Sequence, residues 1–341
     1  MFKLSAWFRW FFLALIAFTL TIACTQQPNT TTTAPSASST PAISSQPIAS
    51  GLNNWVGYSS HYVATKQGFF TQEGLNVQEL LFQSASEEIT AMLAGRLDIA
   101  WLTSGDTIQA AAKDPSLKIF YLVDYSNGAD GIIGRNIATA KEVKGKSLAR
   151  ENLLFTKVLL QAYLKQAGLT EADLKVKDMN AAESATAFAA KQVDLAVTYE
   201  PFLTKNAKLG GGNILFSTKD TNLIADVLVV RDKFLQTRQK DLQAYLRAVD
   251  KAVKLVNAGD PEALKIAGAR MGVTAAEVKE QLSGVKLFDL ATNKAMAFDK
   301  SNPQSLIGNL ELTAKAAAEF KIIPQPLKPE SLYDDSIVKS L

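Results

Sequence analysis

The sequence predicts an α/β protein built of two lobes, each with a central sheet flanked by helices. Three observations support this fold class. Short apolar strands alternate with helices in two separate series along the chain, as in doubly wound sheets. A mainly helical segment follows the second series. Hydrophobic residues make up 47% of the 341 residues, which is enough to form a core in each lobe.

The first series occupies residues 54–135. It starts with a strand and loop at 54–60 and ends with a strand at 129–135. Residues with period-two alternation or short apolar runs predict the strands, and glycines close the helices at 62–68 and 86–94. The remaining elements are strands at 76–81, 97–102 and 118–123 and a helix at 107–113.

The second series and the helical tail complete the two lobes. Strands are predicted at 146–149, 175–179, 194–198 and 223–230, helices at 156–167 and 181–191, and tail helices at 241–257, 261–268, 275–284 and 303–320. We expect the tail to pack on the first lobe. The predicted lobes are therefore 51–134 with 235–341, and 135–234. The chain is expected to cross between them near 134–143 and 231–234.

The N-terminus is typical of an export signal. Lys3 and Arg9 precede an uncharged, mostly apolar run at 10–23, which is too short to span a bilayer but suits a signal peptide. The run ends at Ala23-Cys24, which resembles a bacterial lipobox, so 1–23 is predicted as a signal peptide and Cys24 as its lipidated end. An ordinary signal peptide is the alternative. Residues 25–50 carry no charge and are rich in Thr, Ser, Pro and Ala, so 24–50 is predicted to be a flexible tether.

Composition excludes several classes of protein. Without Lys3 and Arg9, the 36 basic residues fall to 34 against 33 acidic ones, a balance that argues against nucleic-acid binding. Cys24 is the single cysteine and His61 the single histidine, so an intrachain disulfide cannot form and a metal site is not expected. The chain has no Gly-x-Ser-x-Gly motif and no P-loop.

Five sequence pieces resemble one family of transport proteins. They are residues 55–77 (with WVGY, KQGFF and EGLNV), 93–100 (LAGRLDIA), 124–132 (DYSNGADGI), 143–149 (VKGKSLA) and 193–202 (VDLAVTYEPF). Together they are similar, in order, to the nitrate/sulfonate/taurine-type (NMT1/THI5-like) periplasmic solute-binding proteins of ABC transporters. The resemblance implies a type II periplasmic-binding-protein fold, with two hinge-linked lobes that close on a ligand in the cleft. It does not identify the ligand.

Candidate ligand-binding residues follow several predicted strands, where open α/β sheets bind their ligands. Asp226 instead lies inside an otherwise apolar strand, and a buried acid requires a partner. Trp55 and Trp101 can also be core residues, Asp130 a turn residue and Glu151 a helix cap. The candidates are Trp55, Tyr58, Trp101, Ser104, Asp106, Asp130, Glu151, Tyr199, Glu200 and Asp226.

The charges of these candidates favour a cationic ligand. Five are acids, and Arg135 and Arg150 are the only nearby cations. Anion binders need donors such as open helix N-termini. Where relatives usually offer Gly or Ser, residues 150–154 (RENLL) are bulky. We therefore hypothesise guanidinium or a compact amine as the ligand, with nitrate, alkyl sulfonate or taurine as the alternative.

The expected role is delivery of a solute to an ABC permease and its ATPase. The protein is predicted to be a monomer without cofactor, to bind the membrane through Cys24, and to lie in the periplasm or at the cell surface. An enzyme of the pyrimidine-synthesis type is the rival class. Such relatives use a site rich in His and Cys, and the single histidine argues against it.

Overall fold

The computed structural model describes residues 43–219 and 221–341. The predicted signal peptide and Cys24 lie outside these residues. The strands are β1 (Ile48–Leu52), β2 (Val77–Leu81), β3 (Ile99–Thr103), β4 (Leu117–Ser126), β5 (Asp130–Gly134), β6 (Ser147–Arg150), β7 (Lys175–Asp178), β8 (Leu195–Tyr199), β9 (Asn213–Ser217), β10 (Ala225–Arg231) and β11 (Val285–Leu287).

Fourteen α-helical segments are described. They are α1 (Ser59–Lys66), α2 (Phe69–Gln72), α3 (Ala85–Leu93), α4 (Ser104–Ala111), α5 (Leu154–Lys165), α6 (Ala181–Ala189), α7 (Leu203–Leu209), α8 (Asp232–Thr237), α9 (Gln239–Asn257), α10 (Pro261–Met271), α11 (Ala275–Leu282), α12 (Leu290–Thr292), α13 (Leu306–Glu319) and α14 (Ser336–Lys339). None of the helices in the described part of the chain is long and apolar enough to cross a membrane.

Two mixed sheets form the centres of the two lobes. The first has the order β11-β4-β10-β3-β1-β2, and the second has the order β7-β6-β8-β5-β9. Each sheet has three adjacent parallel strands and one inner strand that runs antiparallel to both of its neighbours. That inner strand is β10 in the first sheet and β5 in the second. In the first sheet the edge strand β11 also runs antiparallel to β4. The predicted α/β class is therefore confirmed.

The crossings between the lobes lie one strand earlier than the sequence predicts. We expected β5 in the first lobe and β10 in the second, but β5 pairs with β8 and β10 pairs with β3. The chain therefore crosses at 127–129 and 218–224, and the boundaries at 134/135 and 234/235 are displaced. The reason is physical: each strand keeps the ordinary apolar pattern, and only long-range pairing determines which sheet it joins.

The folded region also starts earlier than predicted. The tether was expected to extend to Ser50, but β1 begins at Ile48 and forms an inner strand between β2 and β3. The Ser50 hydroxyl is buried and lies 2.9 Å from the Tyr245 hydroxyl of α9. The strand predicted at 54–60 is wrong, because Val56–Tyr58 forms a 3-10 turn that leads into α1. The residues of β1 are mostly small and uncharged, like those of the preceding linker, so composition alone does not distinguish this buried strand from the linker.

The lobe cores hold the ends of these strands in place. In the first lobe, α9 buries Leu242, Tyr245 and Val249 and packs against α1 and α2. In the second lobe, Leu159 and Leu160 of α5 pack on the sheet in one cluster. The carboxyl ends of β1, β3 and β8 and the residues after β2 and β6 all reach one cavity, which both lobes line.

Candidate functional site

A small cavity lies between the two lobes. Its volume is about 20 Å³, far below the roughly 300–1,000 Å³ of pockets that accept drug-sized ligands. A cavity of this size has room for about one water molecule, so a larger solute requires the lobes or the lining side chains to move apart. The lining residues are Asn53, Trp55, Tyr58, Ala85, Thr103, Asp106, Asp130, Phe155, Tyr199, Ile224 and Asp226.

Two aromatic residues after β1 hold buried carboxyl groups in the first lobe. Trp55 donates its Nε1–H to Asp124 Oδ2 at 3.2 Å, and Tyr58 donates its hydroxyl to Asp226 Oδ1 at 2.7 Å. Gly57 lies between these contacts. A Cβ there would lie 2.2 Å from both Asp124 Oδ2 and Trp55 Nε1, so only glycine permits this close approach.

Asp124 and Asp226 form a buried pair of carboxyl groups. They are direct partners in the antiparallel β4–β10 ladder, and Asp226 also faces Thr103 of β3. Burial raises the pKa of Asp226 well above its ordinary value, and the neighbouring Asp124 charge raises that pKa further. Burial raises the pKa of Asp124 as well. Like charges this close are not both ionised, so the pair holds a proton at neutral pH.

Asp106 is the cavity acid with the fewest partners. It lies in the first turn of α4, where its backbone N–H donates to the Thr103 hydroxyl at 3.0 Å. The side chain is fully buried, and neither carboxylate oxygen forms a hydrogen bond of standard geometry with a described residue, although the proximity of Thr103 partly offsets the effect of burial on its pKa. Burial is the main reason that the pKa of Asp106 is raised to about 8. An acid in this state has an unmet need for a donor or a positive charge.

Within the described residues, this group of acids is not neutralised by a Lys, Arg or His side chain. Burial raises the pKa of Asp130 to about 7. Across the described ranges, no Lys, Arg or His forms an ion pair with Asp106, Asp124, Asp130 or Asp226. The two predicted nearby cations are engaged elsewhere. Arg135 donates to backbone carbonyls of Phe188, Val193 and Gly210, and Arg150 pairs with Glu171.

Aromatic side chains of the second lobe close the cavity. Tyr199 ends β8, and its ring meets the edge of Trp55 with the ring centroids 5.7 Å apart. Phe155, in the first turn of α5, lies beside Tyr199 at 6.4 Å between centroids. The cavity therefore combines carboxyl groups, mainly from the first lobe, with π-faces from both lobes.

A family model identifies the chain. The model described as NMT1/THI5 like matches residues 56–263, which is more than half of the sequence. The chain belongs to the NMT1/THI5-like family. This confirms the resemblance seen in the sequence. A putative binding protein of Brucella abortus (strain 2308) is 20% identical over 297 residues, covering 84% of this chain and 91% of the relative.

Solved structures confirm the two-lobe fold for this family member. The alkanesulfonate-binding protein SsuA from Xanthomonas axonopodis pv. citri, bound to MOPS, matches with a TM-score of 0.71 and 17% identity, over 86% of this chain and 99% of SsuA. The periplasmic nitrate-binding protein NrtA from Synechocystis PCC 6803 matches with a TM-score of 0.69 and 13% identity, over 88% and 89%.

An enzyme shares the same fold. The desulfurization enzyme DSZB matches with a TM-score of 0.63 and 12% identity, over 86% of this chain and 98% of the enzyme. The fold therefore serves both binding proteins and a catalyst. The described residues of this family member contain no group of three or more His, Cys, Asp or Glu side chains that could hold a metal ion.

Six of the ten predicted site residues line the cavity. They are Trp55, Tyr58, Asp106, Asp130, Tyr199 and Asp226. Two of the other four are core residues of the first lobe. Trp101 lies two residues before the end of β3, so it is below the cavity, and its Nε1–H donates to the Tyr245 hydroxyl at 2.9 Å. Ser104 points to α13 and donates to Asn309 Oδ1 at 2.6 Å.

Glu151 and Glu200 lie outside the cavity lining. The carboxylate of Glu200 accepts hydrogen bonds from the backbone N–H and the hydroxyl of Thr204 in α7, within its own lobe. The Glu200 carbonyl oxygen accepts from the backbone N–H of Val56 in the first lobe at 3.4 Å. Glu151 follows β6 and accepts from the backbone N–H of Ser86 in α3 at 3.0 Å, which connects the two lobes. Both side chains are buried. The hydrogen bonds that they make depend on how the chain folds, and the spacing of residues in the sequence does not predict them.

The sequence pattern missed several lining residues and one essential neighbour. The missed lining residues are Asn53, Ala85, Thr103, Phe155 and Ile224, and the neighbour is Asp124. The signal for Asp124 was present, because it is an acid in the apolar run of β4, as Asp226 is in β10. Ala85, Phe155 and Ile224 are ordinary apolar residues, and their place at the cavity comes only from the closed lobes.

Proposed function

We propose that this chain is the solute-binding component of an ABC importer and that it captures a small cation with several N–H donors, such as guanidinium or a compact amine. One observation carries the choice of ligand charge. Asp106 is fully buried at the cavity, and both of its carboxylate oxygens lack a partner among the described residues. A ligand that donates hydrogen bonds and carries positive charge supplies what this group needs.

Electrostatics favours the same choice. Asp106, Asp130 and Asp226 line one small volume, and Asp124 pairs with Asp226 beside it. In the described part of the chain, none of these four acids forms an ion pair with a Lys, Arg or His. Once these carboxyl groups are ionised, an anion would be repelled by several kcal/mol at the low effective dielectric of such a site. A cation would instead be attracted and would lower the pKa values that burial has raised.

The N-terminus of α4 does not offer an open anion site. The Thr103 hydroxyl already caps α4, and the buried Asp106 side chain occupies its first turn. A Cβ placed on Gly105 would lie 3.4 Å from the backbone nitrogen of Phe155, so the ends of α4 and α5 are in close contact. This feature distinguishes the end of α4 from a helix end that holds an anion on free backbone amides.

The aromatic walls suit a planar cation. Trp55, Tyr58, Phe155 and Tyr199 provide π-faces on both sides of the cavity. Cations are attracted to such faces, and guanidinium is weakly hydrated and pairs with carboxylates through two parallel hydrogen bonds.

The transport role rests on the family and on the two-lobe fold. We propose that the lobes close on the solute and present it to a permease and its ATPase. The predicted lipid anchor at Cys24 would hold the protein in the periplasm or at the cell surface. We propose separately that the protein is a monomer. An enzymatic role lacks support at the cavity. His61 is fully buried, 3.1 Å from the Tyr245 hydroxyl and 3.3 Å from Glu79, and it does not line the cavity.

A second candidate is an anion ligand. Similar structures bear the names of sulfonate-binding and nitrate-binding proteins, and this favours an alkyl sulfonate, taurine or nitrate. The two candidates make opposite demands on Asp106. A cation needs its carboxylate ionised, whereas an anion is repelled unless that carboxyl group is protonated.

Calorimetric titration at pH 8 separates the candidates. The purified mature protein is titrated with guanidinium, methylammonium, taurine, methanesulfonate and nitrate. We expect binding of one guanidinium or amine per chain at micromolar concentration and no response to the anions. Micromolar binding of nitrate or a sulfonate without any response to the cations would overturn the cation proposal. Turnover of a bound solute would overturn the assignment as a binding protein.

A further inference from the structure

Glu151 forms a direct link between the lobes next to the cavity. It follows β6 in the second lobe, and its Oε1 accepts a hydrogen bond from the backbone N–H of Ser86 at 3.0 Å. Ser86 belongs to the first turn of α3, and the preceding Ala85 lines the cavity. The Glu151 side chain is 4% exposed, so this contact is removed from solvent.

The position that Glu151 occupies is one that suits an anion. The nine-residue helix α3 carries a positive partial charge at its N-terminus, where Glu87 and Glu88 lie in the first turn and the first backbone N–H groups require acceptors from outside the helical ladder. Ser84 accepts the hydrogen bond from Glu87 at 3.2 Å, which leaves the N–H of Ser86 free to bind another acceptor. Phosphates, sulfates and carboxylates bind at such helix ends.

The second carboxylate oxygen of Glu151 makes no hydrogen bond within the described residues. Oε2 is buried and has no partner among residues 43–219 and 221–341. No Lys, Arg or His in those ranges forms an ion pair with Glu151. Burial raises the pKa of this group, and the nearby charges of Asp178 and Glu87 raise it further. The hydrogen bond to α3 is thus the main interaction that fixes this carboxylate.

We infer that Glu151 is a specificity-determining latch, a carboxylate of one lobe that fills the anion position at the N-terminus of α3 in the other lobe. The latch has two consequences. It favours the closed arrangement of the lobes, because opening them separates Glu151 from Ser86 and exposes both groups. It also excludes anionic solutes from the cleft, because their position is taken and a negative charge is already there. The inference rests on the proposed role as a solute-binding protein, although it does not depend on which cation binds.

Two variants of Glu151 and one matched control test the latch. Glu151→Ala removes the acceptor, and Glu151→Gln keeps an oxygen but removes the charge. Glu200→Gln is the control, because Glu200 is equally buried in the same lobe but its carboxylate binds only Thr204 of that lobe. Far-ultraviolet circular dichroism establishes whether each variant is folded. If Glu151→Ala does not fold, the scattering and calorimetry measurements are made on Glu151→Gln instead.

Two measurements decide the outcome. Small-angle X-ray scattering of the solute-free protein should give a larger radius of gyration for the Glu151 variants than for the wild type and Glu200→Gln. Calorimetry with methanesulfonate should give at least tenfold tighter binding to Glu151→Ala than to the wild type. An unchanged radius of gyration or an unchanged methanesulfonate affinity overturns the latch. Guanidinium titration of the wild type is independent of both, so a failure of the ligand proposal is recognised separately.

Discussion

Asp124 and Asp226 lie directly opposite each other on neighbouring antiparallel strands, and both side chains are buried. Like charges this close in a buried site are not both ionised, so one of the two acids keeps its proton. Asp124 Oδ1 has no hydrogen-bond partner among the described residues, whereas Asp226 Oδ1 accepts from the Tyr58 hydroxyl. The pair therefore behaves as a single negative charge whose proton a bound cation can displace.

Cation binding should strengthen as the pH rises. Binding favours ionised carboxyl groups, whereas burial holds the pKa of Asp106 at about 8 and that of Asp130 at about 7. Below these values a cation must displace protons, so the association constant should rise about tenfold per pH unit for each proton displaced. Calorimetry between pH 5.5 and pH 8.5 measures this dependence. An affinity that is flat or higher in acid would contradict it.

The number of protons released on binding tests whether the Asp124–Asp226 pair gives up its proton to a bound cation. Titration of guanidinium in buffers with different ionisation enthalpies yields the number of protons released on binding. We expect that number to fall by about one in Asp226→Asn, because an amide at this position cannot give up its proton. The same number in the variant and the wild type would mean that the pair does not exchange its proton for the ligand.

Loss of the Asp106 charge should weaken cation binding strongly. Asp106→Asn removes the carboxylate that has no partner among the described residues, at a fully buried position. Truncation of one member of a buried charge pair costs about 2–5 kcal/mol, which corresponds to a roughly 30- to 4,000-fold increase in Kd. Calorimetry at pH 8 measures the change. Glu200→Gln is the control and should change Kd far less, since Glu200 lies outside the cavity lining and acts on the site only through the effect of its charge on Asp130.

Local sequence patterns predicted most strands and the acids that interrupt them. Asp226 was recognised because an acid within an apolar strand requires an explanation, and it does lie at the cavity. Asp124 satisfies the same criterion, but it was considered only as part of a family motif. A rule applied equally to both strands would have found the pair.

Other features depended on contacts that are distant in the chain. The exchange of β5 and β10 between the sheets follows from pairing partners about 65 to 125 residues away, which no local pattern records. Glu151 was predicted as a ligand contact, but it binds Ser86 in the other lobe because the lobes are closed. β1 was missed since its small uncharged residues continue the composition of the preceding linker.

The unliganded protein should lose stability as the pH rises. The pKa of Asp106 is about 8 in the folded state against an ordinary value of 3.8, so between these values the folded protein binds more protons than the unfolded chain. Stability is then highest at the acid end of this range and falls toward pH 8. Thermal unfolding should give a lower Tm at pH 8 than at pH 5. The decrease should be smaller in Asp106→Asn, and an equal decrease would show that Asp106 does not titrate in this range.

The mature protein should begin at Cys24 and partition with membranes. This follows from the lipobox-like Ala23-Cys24 after the apolar run at 10–23. Mass spectrometry of the N-terminal peptide should show a diacylated cysteine, and Cys24→Ala should lose the acyl mass. A mature protein that starts at Thr25 or later and carries no lipid would contradict the predicted anchor.

Gly57→Ala should displace Trp55 or Asp124 at the cavity through one added methyl group. The added Cβ would lie 2.2 Å from both Asp124 Oδ2 and Trp55 Nε1, closer than any side chain tolerates, so the 3.2 Å hydrogen bond between these atoms must break. Overpacking of this kind costs about 1–3 kcal/mol, and it should also weaken cation binding because Trp55 lines the cavity. Urea unfolding and calorimetry measure the two effects.

Gly308→Ala is the matched control for this substitution. Gly308 lies within α13, and a Cβ there meets no other atom within 4 Å. Alanine is a better helix former than glycine, so this variant should gain roughly 0.5–1 kcal/mol of stability and bind the cation as the wild type does. The contradicting outcome is that Gly57→Ala unfolds at the wild-type urea concentration and binds the cation with unchanged affinity. In that case the hydrogen bond between Trp55 and Asp124 does not position Trp55, and other contacts must hold the ring that Trp55 offers to the ligand.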